Sequence, residues 1–344
     1  MIQDLARYVP EEPWLRGLVG GLVVMSLLMA VGGLASWWER RFAARIQNRI
    51  GPNIVGPFGV LQPIADLLKM MQKEDIVPRS ADRILFNLAP AIPTTLALAS
   101  AAVIPFGGKW DGDQWVNQFI VADLDVGILW VLALGGLTVF PTFMAGWASN
   151  NKYTLLSAMR SVAQGVSYEI PLVLAALVAV IATGEMSIGG IVKWQAENGW
   201  LVVRLPVISW LAFLVFFAAS LAEANRIPFD IPEAESELIG GVMIEYTGLK
   251  FGLFLFAEYV HTAIASLLAV ALFLGGADGP RVEVVGPLWL VLKAGVLFVI
   301  IYWIRWSWYR FRSDQLMQLC WRYLVPLTLG LVMATALLVV LGWV

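Results

Sequence analysis

The chain has 344 residues, of which 59% are hydrophobic and only 14% are charged, and its formal net charge is −2. Because soluble domains carry charge on roughly a quarter of their residues, this composition indicates a polytopic membrane protein and gives no sign of nucleic-acid binding. A single cysteine excludes disulfides and Cys-ligated iron–sulfur or zinc sites within the chain, and a single histidine argues against a haem. No glycine-rich nucleotide motif joins a strand to a helix, so we expect any redox centre in another polypeptide.

The hydropathy pattern predicts eight membrane-spanning helices, because each crossing needs about 20 apolar residues. The expected fold is an all-α integral membrane protein, formed by one polytopic domain over residues 1–344, with structured cytoplasmic loops and an amphipathic surface helix. The eight apolar segments lie near 17–38, 84–106, 125–147, 157–183, 205–226, 248–274, 287–308 and 321–343.

Basic residues collect on one side of this arrangement. The predicted loops 39–83, 148–156, 227–247 and 309–320, with their flanks, hold 16 of the 23 Lys and Arg. By the positive-inside rule this face is cytoplasmic. We therefore expect a bacterial cytoplasmic-membrane protein with both termini on the non-cytoplasmic side.

The first loop combines charge, turn residues and an amphipathic pattern. It opens with Glu39-Arg40-Arg41, continues through RIGPNIVGPFGVLQP, which is too rich in Gly and Pro for a continuous helix, and ends in IADLLKMMQKED. Apolar and charged positions in that last stretch alternate with helical spacing. This predicts a short helix over 64–73 that lies at the membrane surface.

A carboxylate falls inside the fourth apolar segment. Arg160, Gln164 and Tyr168 recur at i, i+4 and i+8, which predicts one helical face leading from the cytoplasmic side to Glu169. An ionised carboxylate at mid-membrane costs about 2.5–3.5 kcal/mol on insertion scales, so Glu169 should face protein or water and exchange protons. The alternative is a hydrogen-bonded packing residue.

The stretch EANRIPFDIPEAESELIGGVMIEY, residues 223–246, is acidic and broken by prolines. Glu223 and Arg226 are predicted to pair at i and i+3. Glu233 and Glu237 lie one turn apart and should repel unless they hold protons, bind a cation or face a basic partner. A solvated loop is the simpler reading. The acidic residues are Glu223, Asp230, Glu233, Glu235, Glu237 and Glu245.

Two further stretches carry charge. Glu258 lies in the sixth apolar segment with His261 one turn later, and the two could share a proton because histidine titrates near neutrality. A packing histidine is the alternative. The last cytoplasmic stretch reads RWSWYRFRSDQLMQLCW.

These motifs resemble the quinone-site membrane subunit of respiratory complex I, which is numbered subunit 1 in the mitochondrial enzyme. The shared patterns are ERR-x-x-A-x-I-Q-N-R-x-G-P-N, L-Q-P-x-A-D-x-x-K, G-W-x-S-N-N-K-Y, R-x-x-A-Q-x-x-S-Y-E, E-x-N-R-x-P-F-D and P-E-A-E-x-E-L. The chain departs from the family at His261, where the pattern E-Y-x-N has Asn, and at Ser307 and Tyr309, which replace Thr and Pro.

The resemblance implies a subunit of a proton-translocating NADH:quinone oxidoreductase that forms much of the quinone tunnel at the junction with the peripheral arm. No cofactor is expected to be bound covalently. Quinone is the substrate, FMN and iron–sulfur clusters belong to partner subunits, and the partners are peripheral-arm iron–sulfur subunits, neighbouring membrane-arm subunits and the lipid bilayer.

The implied site residues fall into three groups. The quinone tunnel and headgroup region comprises Arg40, Arg45, Arg49, Phe58, Leu61, Ala65, Asp66 and Phe229. The proton path comprises Glu39, Glu169, Glu223, Arg226, Asp230, Glu233, Glu235, Glu237, Glu245 and Glu258. Partner docking on the cytoplasmic face comprises Lys152, Arg305, Arg310, Arg312 and Asp314.

Two alternatives stay open. An equivalent subunit of a membrane-bound hydrogenase or of a ferredoxin- or coenzyme-F420-linked complex would carry similar motifs. A secondary ion transporter would show an internal repeat with broken segments in both halves, whereas the motifs here concentrate on one face.

Overall fold

A computed structural model of the chain describes residues 13–111, 114–231, 239–280 and 282–343. These residues are overwhelmingly helical, and eight helical segments are long and apolar enough to cross a membrane, which confirms the all-α integral membrane fold. We call them spans 1 to 8. In order, they are Val19–Ile46, Arg83–Val103, Gly127–Ala148, Lys152–Thr183, Pro206–Glu223, Gly248–Phe273, Gly286–Ser307 and Ser313–Val340.

Several spans consist of more than one helical segment, and shorter helices connect them. The α-helices are Pro13–Ile46, Gln62–Gln72, Arg83–Leu88, Ala91–Ser100, Gly127–Leu137, Val139–Ala148, Lys152–Thr183, Ile188–Asn198, Leu201–Arg204, Pro206–Glu223, Gly248–Phe273, Val282–Ser307, Ser313–Gln318 and Val325–Val340. Tighter 3₁₀ turns lie at Pro57–Gly59, Ala101–Val103 and Gly241–Met243, and a wider π-helical segment lies at Leu319–Leu324.

Span 1 extends further than its apolar run. The helix continues about two turns past Trp38 and ends at Ile46, so Glu39 and the first arginines lie on the helix rather than in the following loop. No Gly or Pro occurs between Trp38 and Ile46, and the residues there are mostly good helix formers. Ala43 and Ala44 are also buried, so packing holds this end in place.

Span 4 lies at the centre of the bundle and packs against spans 3, 5 and 8, while span 6 packs against spans 1, 2, 5 and 7. Small side chains permit close approach of the helices: Ala175, Ala176 and Ala179 of span 4 are at most 1% exposed. In membranes such contacts favour association because lipid supplies no hydrophobic drive between helices. Spans 4 to 6 therefore form the rigid interior in which ionisable groups are held.

A two-stranded antiparallel hairpin joins spans 2 and 3, with β1 (Gly107–Asp111) paired to β2 (Gln114–Gln118). Gly107 is opposite Gln118 in the register. Gly108 lies flat against the buried Trp115 ring, and any Cβ there would collide with the ring. A search for long apolar segments does not find such a hairpin.

The amphipathic helix occupies Gln62–Gln72 and begins with Pro63 in its first turn, where a missing N–H costs nothing. It packs against spans 1 and 6, and the Met70 thioether fills the space over Gly252 of span 6. Its apolar face is left open: Ile64, Leu67 and Met71 are 50–62% exposed.

Candidate functional site: a buried carboxylate cavity

Spans 2 to 6 surround a cavity of about 80 Å³ that is lined by four ionisable side chains. Span 4 contributes Glu169, span 5 ends in Glu223, and span 6 contributes Glu258 and His261. A cavity of this size holds several waters, since one water needs only about 10–15 Å³ on the same measure. The sequence-predicted carboxylates of three different spans are therefore brought together.

Two glycines of span 3 make room for the carboxylates. A Cβ at Gly136 would collide with Glu169 Oε1, and a Cβ at Gly135 would collide with Glu223 Oε1. The next residue but one, Thr138, donates its hydroxyl to the carbonyl of Gly135 at 2.6 Å, where the two helical segments of span 3 meet. Sequence analysis missed both glycines, although an adjacent Gly pair inside an apolar segment is a signal of close approach.

The predicted pairing of Glu223 with Arg226 is wrong. Span 5 ends at Glu223, and Asn225 adopts a left-handed φ of 50°, so Arg226 does not occupy a helical i+3 position. Arg226 Nη2 instead lies 3.7 Å from Glu258 Oε2. Glu223 Oε1 lies 3.7 Å from His261 Nε2.

The second pairing suggested by the sequence differs in the same way. His261 has Glu223 as its carboxylate neighbour across the cavity, and Glu258 faces Arg226. The two side chains on one turn of span 6 thus point to different partners at and after the end of span 5. Both still line the same cavity.

A buried polar network continues from the cavity toward spans 1 and 7. Arg226 is 2% exposed, and its guanidinium lies 4.7 Å from the centre of the Tyr259 ring. The Tyr259 hydroxyl donates to Glu39 Oε2 at 2.6 Å, and Glu39 Oε1 pairs with Arg305 Nη1 at 2.8 Å. Arg305 was expected at the docking surface but belongs to this network, and Tyr259 was missed.

Arg226 keeps its charge inside this network. Burial alone favours the neutral form, but its neighbours, Tyr302 and Glu258 foremost, outweigh burial and raise the pKa of the guanidinium above its usual value. A buried guanidinium between two carboxylate groups is the arrangement in which an ion pair is retained.

The helical face predicted to lead to Glu169 is wrong by one position. Gln164 is buried and donates to the carbonyls of Ala222 and Phe229, both at 2.7 Å, and the buried Tyr168 donates to the carbonyl of Leu316 at 3.0 Å. Those two side chains fix span 4 to spans 5 and 8. Ser161 and Gly165, which are spaced i−8 and i−4 from Glu169, line the cavity instead.

The acidic loop is tied down at both ends of its described part. The buried Asp230 accepts from Arg310 Nη2 at 3.1 Å, and Glu245 accepts from Asn151 Nδ2 at 2.8 Å. Glu233, Glu235 and Glu237 lie outside the described residues. No three His, Cys, Asp or Glu side chains in the described part of the chain are arranged to hold a metal ion.

An open cleft of about 560 Å³ lies beside the amphipathic helix and is lined in part by Arg40, Arg49 and Gln62. Arg40 Nη1 forms a 2.6 Å ion pair with Asp66 Oδ2. Leu61 and Arg45 are exposed and Ala65 is half-buried nearby in the chain. This region therefore combines cationic groups with uncovered apolar surface.

Phe58 projects from the loop in front of the amphipathic helix. It is 69% exposed and takes a left-handed φ of 56°. Arg41, which sequence analysis did not select, donates to the Phe58 carbonyl at 2.7 Å and lies 5.2 Å from the centre of its ring. This clamp holds an aromatic ring outward.

Residues 19–336 match the family model described as NADH dehydrogenase. The chain belongs to this family. Among its relatives, NADH-quinone oxidoreductase subunit 8 of Thermus thermophilus is 47% identical over 96% of this chain and 89% of its own length. An NADH-quinone oxidoreductase subunit of Thermomicrobium roseum is 44% identical over 92% of this chain and 94% of its own length. The corresponding protein of Brevibacillus brevis is 40% identical over 94% and 93%.

Within this NADH dehydrogenase family chain, the remaining expected site residues divide by exposure. Phe229 is 4% exposed and packs between the rings of Tyr168 and Phe311, at 5.4 and 5.9 Å, so it belongs to the core and offers no surface to a ligand. Arg312 and Asp314 are exposed and lie 3.6 Å apart. Lys152 lies 5.4 Å from the ring of Tyr153.

Proposed function

We propose that the chain is the membrane subunit of a proton-translocating NADH:quinone oxidoreductase, and that it couples quinone reduction to proton movement through the carboxylate cavity. Family membership and the printed names of the relatives support the enzyme context. The observation that carries the coupling is the cavity itself, in which carboxylates of spans 4, 5 and 6 meet in a volume that fits water.

Quinone is proposed to bind along the cleft beside the amphipathic helix. An isoprenoid tail requires uncovered apolar surface, which Phe58, Leu61 and Ile64 offer. A polar headgroup requires hydrogen-bond donors, which Arg40 and Arg49 offer at the cleft. Phe229 is left out of this proposal because it is buried.

The buried network gives a route by which charge at the cleft reaches the cavity. Arg40 at the cleft directly follows Glu39 on span 1, and Glu39 is bonded to Tyr259 and Arg305. A proton gained or lost at Glu39 changes the field at Arg226, which lies over the Tyr259 ring. Arg226 then interacts more or less strongly with Glu258 at the cavity wall, since nearby opposite charges stabilise the ionised form.

The partners follow from the same proposal. FMN and iron–sulfur clusters would reside in peripheral-arm subunits, which dock on the cytoplasmic face near Lys152, Arg312 and Asp314. Neighbouring membrane-arm subunits and lipid would cover the exposed apolar faces of the outer spans. The termini would lie on the non-cytoplasmic side of a bacterial cytoplasmic membrane, by the positive-inside rule. The relatives' names favour NADH as the electron donor over hydrogen, ferredoxin or coenzyme F420.

The test is to purify the assembled complex through a tag on this chain and measure NADH oxidation with quinone and with an artificial acceptor that bypasses quinone. The parent complex should use both acceptors, and Glu258→Gln should lower only the quinone-linked rate. A preparation that reduces quinone from hydrogen or ferredoxin but not from NADH would overturn the proposal.

A further inference from the structure

A second, smaller cavity lies next to the carboxylate cavity. It has a volume of about 20 Å³, which is room for about one water. Its walls are mostly apolar, with hydroxyl groups from Ser100 and Ser220. Spans 2 to 6 contribute to both cavities, so the smaller one extends the larger within the same helix bundle.

Four residues line both cavities, namely Gly135, Thr138, Glu223 and His261. Only the last two exchange protons readily near neutral pH. His261 Nε2 lies 3.7 Å from Glu223 Oε1, is buried and has no hydrogen-bond partner among the described residues. A buried ring nitrogen without a partner is costly unless a proton or a water reaches it.

Every charged group around the imidazole can be named. Glu223 faces it from span 5, Glu169 lines the cavity from span 4, and Glu258 lies one turn away on its own helix with Arg226 as partner. The residues of spans 2 and 3 that line the two cavities carry no charge. An imidazolium at this place therefore faces three carboxylates and one guanidinium.

We propose that His261 is a proton-holding residue that joins the two cavities and acts through Glu223. In the transfer, the O–H bond of the Glu223 carboxyl group breaks and an N–H bond forms at His261 Nε2, leaving a carboxylate–imidazolium pair. No oxidant or other reactant is needed, and the step reverses when the proton returns. The inference rests on the proposed function for its physiological role, and it assigns this chain a titrating group at a position where the resemblance has Asn.

The consequence is a pH dependence that belongs to His261 alone. The imidazole accepts a proton only in its neutral form, whose fraction falls about tenfold between about pH 7.5 and about pH 5.5 for an ordinary histidine. Asn holds no proton in either condition. The ratio of the His261→Asn rate to the parent rate, measured as quinone-linked NADH oxidation by assembled complex, should therefore rise about tenfold over that interval. Taking the ratio removes the pH dependence of all other groups.

Two variants sharpen the test. Ser266→Ala removes a buried hydroxyl of the same span that bonds to the carbonyl of Thr262 and does not line either cavity, so its ratio should stay flat. In a Glu223→Gln background, His261→Asn should no longer change the pH profile, because the two residues act as one unit. NADH oxidation with an artificial acceptor controls for assembly at each pH.

A flat ratio for His261→Asn, in complex whose parent reduces quinone, would overturn the role of His261 and leave the proposed function standing. Parent complex without NADH-dependent quinone reduction would instead refute the proposed function. A His261→Asn effect that persists unchanged in the Glu223→Gln background would refute transfer through Glu223.

Discussion

Gly136→Ala perturbs the carboxylate cavity without touching a carboxylate. The added methyl group would occupy the place of Glu169 Oε1. The atom in the way is the far end of a flexible side chain, so the carboxylate withdraws by about 1 Å to reach ordinary contact distance while the helix stays intact. Ala in place of Gly also favours the helix by up to about 1 kcal/mol.

We expect a large effect on coupled turnover and little on assembly. A misplacement of about 1 Å at a reacting group can cost about 100-fold in rate, so quinone-linked NADH oxidation should fall by about 10- to 100-fold in Gly136→Ala complex. NADH oxidation with an artificial acceptor should remain at the parent level. Gly135→Ala should behave similarly through Glu223, whose Oε1 occupies the corresponding place.

The matched control is Gly330→Ala in span 8, where an added Cβ has open space around it. That variant should keep both activities. Full quinone-linked turnover in Gly136→Ala complex would refute the reasoning, because it would mean that the position of Glu169 does not matter. Equal loss of both activities would show an assembly defect and would likewise contradict the expected local effect.

Four further outcomes are expected. Arg226→Ala leaves Glu39 and Glu258 without their buried cation and should destabilise the chain by about 3–5 kcal/mol, seen as loss of assembled complex, whereas the exposed Arg312→Ala should cost less than about 1 kcal/mol. Lys293 Nζ donates to the carbonyls of Leu274, Gly276 and Asp278 at 2.7–3.2 Å beyond the end of span 6, so Lys293→Met should lower the free energy of unfolding in detergent by about 2 kcal/mol or more, and the exposed Lys193→Met should not. Ala65→Trp on the amphipathic helix should raise the apparent KM for quinone before it lowers kcat, and an unchanged KM across several bulky substitutions there would argue against a tunnel. Asn53→Cys should react with an impermeant thiol reagent only from the cytoplasmic face and Trp343→Cys only from the outer face, since native Cys320 is buried, and the reverse pattern would overturn the orientation.

The sequence predicts the spans because membrane crossing depends on a local property, the length of an apolar run. It places the carboxylates of spans 4, 5 and 6 correctly within their segments for the same reason. The end of span 1 was missed because polar helix formers continue the helix beyond the apolar run. The hairpin between spans 2 and 3 was missed because its strands are too short for the hydropathy signal.

The pairing of side chains depends on tertiary geometry and could not be predicted in the same way. The expected bond between Glu223 and Arg226 assumed that the helix continues, but the backbone reverses at Asn225. The partners of Glu39 come from spans 6 and 7, more than two hundred residues away in sequence. Such contacts leave no periodic trace in a single sequence.

Glu169→Gln tests the central claim most directly. Gln keeps the shape and hydrogen bonds of Glu169 but cannot take up and release a proton, so the variant should assemble and oxidise NADH with an artificial acceptor at the parent rate. Reconstituted in vesicles with quinone as acceptor, it should lose quinone-linked turnover and proton translocation together. Translocation and turnover at the parent rate would contradict the account, because Glu169 would then be a packing residue and the cavity would not carry the proton.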